Sequence, residues 1–156
     1  MNWIAEHEEG TIAINAGFEA YRHREATIRE MSQLQFETLT PWRGVRHDVY
    51  TFRFASAHLR EHEPRVLFLG FGERDDWAHD GDYELVLDAL HQADNRFRRL
   101  WEFLEGHRSY RGKTSIVIST DHGRGNGPAD WKSHGKDIEG AHYLAGDRQP
   151  RLGEAR

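Results

Sequence analysis

Arg65-Val-Leu-Phe-Leu-Gly-Phe-Gly72 is a short continuous apolar run closed by glycines. Its length and bounding glycines favour a buried strand over a helix. Downstream, Tyr83 to His107 carries Val86, Leu90, Ala93, Phe97, Leu100, Trp101 and Leu104 at three- and four-residue steps, the mark of a long amphipathic helix. Gly106 and Gly112 bracket its end, and Thr114-Ser-Ile-Val-Ile-Ser-Thr120 follows as a second β-branched run. Strand, helix and strand make a βαβ unit over about residues 65–120, with parallel strands and a right-handed crossover. The expected class is therefore α/β, built on a mainly parallel sheet.

Working outward, Val49, Phe52, Ala55, Ala57 and Leu59 lie on a helix that ends before Pro64, since proline disfavours helix at the residue preceding it. Residues 1–48 read as a weakly organised lead-in of helix and loop. Ala13 to Met31 has a helical stripe of Phe18, Tyr21, Ile28 and Met31, and Pro41, Trp42 and Gly44 mark a loop. Glu73 to Asp82 reads as a polar turn. The main body is expected over 49–145, with a frayed tail over 146–156.

Composition narrows the function classes. With 26 acidic against 21 basic residues, the chain offers no electrostatic ground for binding nucleic acid. No Lys/Arg run suggests a membrane surface, and no apolar run approaches the roughly 20 residues of a membrane span. The first residues are too acidic for a signal peptide. The compartment stays open. The absence of cysteine excludes disulfides, thiolate ligands and cysteine nucleophiles, so a transition metal must be held by His, Asp, Glu or water. Eleven histidines are many for 156 residues. His7, His23, His58, His62, His91 and His107 are expected to face solvent, and Phe97 and Trp101 to lie in the core.

Ligands in open α/β sheets bind beyond the carboxyl ends of the strands. The first predicted strand is followed by Asp75-Asp76-Trp77-Ala78-His79 and the second by Asp121-His122. Asp75 and His79 stand four apart, so a helical turn would place both on one face. His134, in Ser-His-Gly, sits in a glycine-flanked loop able to fold back over the strand ends. Carboxylate and imidazole donors together point to Zn first, with Mn or Fe behind. Two such ions about 3.5–4 Å apart would clamp an in-line displacement at phosphorus.

Phe71-Gly-Glu-Arg-Asp-Asp-Trp-Ala-His-Asp80, Thr120-Asp-His-Gly-Arg-Gly125 and Trp131-Lys-Ser-His-Gly135, in that order, resemble the alkaline phosphatase superfamily. That group takes in phosphatases, cofactor-independent phosphoglycerate mutases, nucleotide phosphodiesterases and sulfatases, and the resemblance covers about residues 45–142. It implies an alkaline-phosphatase-like three-layer sandwich and a hydrolase of small phosphate or sulfate esters with two divalent ions. One ion would take Asp75, His79 and His134, and the second Asp121 and His122; Asp76 is the alternative to Asp75 by register. The histidines favour the phosphatase, mutase or phosphodiesterase branch over typical sulfatases, whose single calcium site is mostly Asp and Asn. Arg124 is the candidate contact to the substrate's anion. The family's Asp ligand and Ser/Thr nucleophile lie in an earlier half, so the chain is expected to match the C-terminal part of such a domain. Among Thr11, Thr27, Ser32, Thr38 and Thr40, only Thr11, between Gly10 and an apolar triplet, has any supporting context. A sheet lacking its N-terminal strands would self-associate through an exposed edge. Family members are often exported.

Overall fold

The computed structural model describes residues 1–135. The chain opens with a hairpin in which β1 (Asn2–Glu6) and β2 (Ile12–Asn15) pair antiparallel. Its turn is closed by the His7 N–H donating to the Thr11 carbonyl at 3.0 Å. Gly10 sits there at φ +85°, a conformation that a Cβ would resist. Four helices and one further strand follow: α1 (Ala26–Glu37), α2 (Asp48–His62), β3 (Val66–Gly70), α3 (Glu73–Asp80) and α4 (Tyr83–Gly106).

β3 lies antiparallel on the other edge of β1, with Trp3 opposite Leu69 and Ala5 opposite Leu67, giving the order β2-β1-β3. The two-residue period of strands puts Trp3, Ala5, Leu67 and Leu69 on one face. There they meet Ile28 of α1 and Tyr50, Phe54, Ala55 and Ala57 of α2. A second cluster joins Leu59 of α2 to Leu104 of α4 and to Tyr110. The opposite sheet face leaves Ile12, Ile14, Val66 and Phe68 exposed.

The expected mainly parallel, three-layer sandwich is overturned, because the sheet has three strands and both of its ladders are antiparallel. The βαβ unit over 65–120 is not formed. β3 and α4 fall where the apolar run and the helical stripe put them, but residues 114–120 belong to no strand. Ile116 packs on the Leu59–Leu104–Tyr110 cluster, while Val117 and Ile118 stay exposed. β-branched content signals fitness for a half-buried pleated surface; it does not supply a paired edge. Residues 1–48 are also better organised than expected. They hold both strands that flank the hairpin turn, and Trp3 and Ala5 are almost fully buried. The Ala13–Met31 helix is replaced by β2 and by α1, which starts only at Ala26. The predicted tail at 146–156 and the end of the predicted body lie outside the described residues.

Candidate metal centre

The candidate residues come from α3 and from the chain after residue 120, beyond the carboxyl end of β3. The segment expected to be a polar turn is the helix α3. Its first turn carries Glu73, Asp75 and Asp76, whose negative charge complements the helix N-terminus. Asp48, buried at the start of α2, accepts the Gly72 N–H at 3.0 Å and the Glu73 N–H at 3.3 Å, fixing that terminus in place. Burial, with Glu73 nearby, pushes the Asp48 carboxyl up to about 6, against the lowering effect of these two N–H donors and of Arg96. Trp42 braces α3 from outside, its indole N–H donating to Asp80 Oδ2 at 2.8 Å and its ring crossing Trp77 at 4.4 Å. α3 ends at Gly81, whose φ of +80° allows the tight entry into α4.

The loop after Gly123 folds back on itself. Gly125 N–H donates to the Ser133 carbonyl at 3.2 Å, Trp131 N–H to the Gly127 carbonyl at 3.1 Å, and Gly127 N–H to Asp130 Oδ1 at 2.6 Å. A Cβ on Gly125 would lie 2.5 Å from the Asp130 carbonyl oxygen, so only glycine permits this closure. Trp131 stands edge-on to Tyr83 at the start of α4, which anchors the loop. The return brings His134 beside His122, their rings stacked at 3.7 Å.

Asp75 is the hub. Its Oδ2 lies 3.4 Å from His79 Nε2 and 3.7 Å from His134 Nε2, and its Oδ1 lies 3.5 Å from His122 Nε2. These separations exceed the usual 2.7–3.2 Å of a nitrogen–oxygen hydrogen bond. They match the edge of a tetrahedron around an ion with Zn–N near 2.0–2.1 Å, which works out at about 3.3 Å. Asp75, His122 and His134 each offer a donor atom within 4.8 Å of the other two. His122 places Nδ1 2.9 Å from its neighbour's carbonyl at Gly123, so an Nδ1–H donated there leaves the Nε2 lone pair facing Asp75. Burial first, then His122, holds the His134 imidazole below its usual value despite Asp75, which favours the neutral, metal-ligating form. The donor chemistry thus fits one zinc-type ion. The side chains are between a quarter and a half exposed, so the cluster opens to solvent.

Asp75 is the residue these histidines surround. The carboxyl of its neighbour Asp76 is raised, by burial first and then by Asp75. Asp121 stands apart with its side chain 84% exposed, 3.6 Å from His122 and near no other candidate. No second ligand group of three is gathered among the described residues. Arg124 has a role that the sequence pattern did not indicate. Its guanidinium donates to the Asp75 carboxylate, to the Asp75 carbonyl at 2.8 Å and to the Trp131 carbonyl at 3.4 Å. It is a strut between α3 and the returning loop, already engaged by protein groups. Thr11 is placed at the wrong end. It closes the hairpin beside Glu6, which pairs with Val66 at the start of β3, whereas the cluster lies past the end of that strand. Comparison with protein-family models, with curated proteins and with solved structures finds no match to this chain.

Proposed function

We propose that this chain is a metal-dependent hydrolase domain acting on small phosphate or sulfate esters, with its ion held by Asp75, His122 and His134 and with His79 beside them as a fourth donor. The carrying observation is the set of carboxylate–imidazole separations of 3.4, 3.5 and 3.7 Å around one carboxylate, with Asp75, His122 and His134 offering donor atoms within 4.8 Å of one another. The motif order described above supports the ester class. When bound, a divalent ion supplies Lewis-acid chemistry, activating water and drawing charge from the ester oxygens. The protein's share is orientation. Gly123 turns His122, Arg124 ties Asp75 to the loop, and the Asp48 cap fixes the start of α3. Asp121, exposed beside His122, is free to orient a second ion or the attacking water.

The test is metal content by elemental analysis with p-nitrophenyl phosphate and p-nitrophenyl sulfate turnover in the same sample. The expected result is zinc or manganese bound, one equivalent fewer in Asp75→Asn, and turnover that depends on that equivalent. Equal metal content in wild type and Asp75→Asn would remove the centre from the reading. A second reading is favoured by one observation: no Ser or Thr hydroxyl hydrogen-bonds to the four ligands among the described residues. On that reading the chain binds the ion and turns nothing over. Metal without turnover of either ester would decide for it.

A further inference from the structure

We propose that His7, His58 and His62 form a second cation site, separate from the Asp75 centre, for an imidazole-preferring divalent ion such as Zn²⁺. Two of these histidines share α2. His58 and His62 stand one turn apart on the same face, with ring centroids 4.5 Å apart. His7 reaches them from the end of β1, with its ring 5.1 Å from His58 and 5.9 Å from His62. His7 Nε2 and His58 Nε2 are 3.1 Å apart and share a hydrogen bond; an ion that displaces the shared proton needs them to part only slightly, to the roughly 3.3 Å edge of a tetrahedral zinc site. His62 is exposed at the rim. The three do not converge as they stand, and the ion's arrival would require His62 to change rotamer, a fast motion for a surface side chain.

The surroundings suit ligation better than proton storage. His58 is buried, and its Nδ1 lies 3.2 Å from the Tyr21 hydroxyl. Nδ1–H donated to that oxygen frees the Nε2 lone pair for a cation and fixes the ring, as outer partners of metal-bound histidines do. The phenol stays neutral, because burial and then Glu61 push it up to about 12. Glu61 itself is engaged by His23 at 2.5 Å and by Arg24 at 3.0 Å, and no ion pair joins a carboxylate to His7, His58 or His62 among the described residues. Burial, then His62, His7 and His23, push His58 down to about 4, which leaves it a neutral donor at physiological pH. An all-nitrogen set selects Zn, Cu or Ni over Mg or Ca. The geometry also separates the two sites. His7 follows Glu6, which pairs with Val66 at the start of β3, while the Asp75 centre lies past the end of that strand. An ion here would clip the N-terminal hairpin to α2, and its binding would add to folding stability. His23 and His58 are both buried, against the expectation that they face solvent.

The experiment uses the full chain carrying His122→Ala and His134→Ala, which disables the first centre. Calorimetric Zn²⁺ titration at pH 7.5 is combined with the visible spectrum of added Co²⁺. The expected result is one Zn²⁺ per chain in this background and tetrahedral cobalt bands. Adding His62→Ala or His7→Ala should weaken Zn²⁺ by tenfold or more and remove those bands. His62 is on the surface, so the circular dichroism of its variant should be unchanged. A background that binds no Zn²⁺, or an affinity that neither added substitution alters, would overturn the proposal. Loss of the first centre alone leaves this result intact.

Discussion

Replacing Asp48 by Asn should stabilise the protein at neutral pH and destabilise it in acid. The carboxyl is 3% exposed, and burial, its largest cause, raises it from 3.8 to about 6 in the folded chain. Its native state therefore holds a proton between about pH 4 and 6 that the unfolded chain has lost, so this group's contribution rises as pH falls through that window. Above pH 6 the folded chain carries a charge that burial disfavours. At 1.36 kcal/mol per unit, a shift of about two units costs about 3 kcal/mol there. Asn removes that cost and can still accept the Gly72 N–H, but it turns an amide N–H₂ toward Glu73 N–H. Losing that 3.3 Å bond costs about 1 kcal/mol. The net expectation is a gain of about 2 kcal/mol at pH 7, falling to zero at about pH 4.5 and becoming a loss of about 1 kcal/mol below pH 4.

Urea unfolding followed by tryptophan fluorescence, in chelator, at half-unit steps from about pH 3 to 7.5 measures the difference directly. His58 contributes in the opposite sense. Its folded-state value is pushed down to about 4 from 6.5, so the stability it contributes is lost as pH falls through that range, by roughly 3 kcal/mol. The wild-type profile should be nearly flat as the two cancel, and Asp48→Asn should expose the slope. A stability difference between variant and wild type that does not change with pH would refute the argument. So would a variant less stable than wild type at pH 7.

Zinc at a hundredfold excess over its dissociation constant should add about 2.7 kcal/mol and raise the melting midpoint by roughly 5–11 °C; Asp75→Asn, measured by scanning calorimetry, should lose the share owed to its own centre. Asp121→Asn, with a side chain 84% exposed and paired only with His122 among the described residues, should leave zinc affinity within twofold in a calorimetric titration. Gly125→Ala must push the Asp130 carbonyl aside and displace His134, so zinc affinity should drop about tenfold with the helical dichroism intact. Phe54→Ala, fully buried between the sheet and α1, should cost about 3–5 kcal/mol in urea unfolding with no change in unfolding cooperativity.

Three elements were legible because their patterns carried one meaning. The stripe on α4 recurs for 24 residues, the apolar run of β3 is closed by glycine, and α2 stops at Glu63, where a left-handed cap precedes Pro64. Even so, α4 keeps Trp101 half exposed, since the helix buries a narrower stripe than its apolar residues suggest. α3 was hidden because Glu73, Asp75, Asp76 and Asp80 give it almost no apolar face; its helix rests on the Asp48 cap and the Trp42 brace, both distant in sequence. β1 offered only the short alternation of Trp3 and Ala5, and its pairing with β3 joins residues sixty or more apart. Strand direction was the step that failed. Two apolar runs around a helix imply parallel pairing only if both runs pair, and pairing is decided by whichever strand reaches the edge.

The gathering of Asp75, His79, His122 and His134 depends on local devices and not on the direction of the sheet. A four-residue step on a helix face joins Asp75 to His79 whether the adjoining sheet is parallel or not. The return of His134 depends on Gly125 and on the loop's own hydrogen bonds, which no sheet supplies. What the residue types could not show was the part played by Arg124. A basic residue beside a ligand pair suggests an anion contact, yet its guanidinium ends on the hub carboxylate and two carbonyls. Its positive charge lowers the electrostatic pull of Asp75 on a cation, while its three contacts hold Asp75 and the His134 loop together. These effects oppose one another, so Arg124→Lys, which keeps the charge and loses the fork, separates them. If positioning dominates, zinc affinity falls about tenfold or more. If charge dominates, it stays as in wild type.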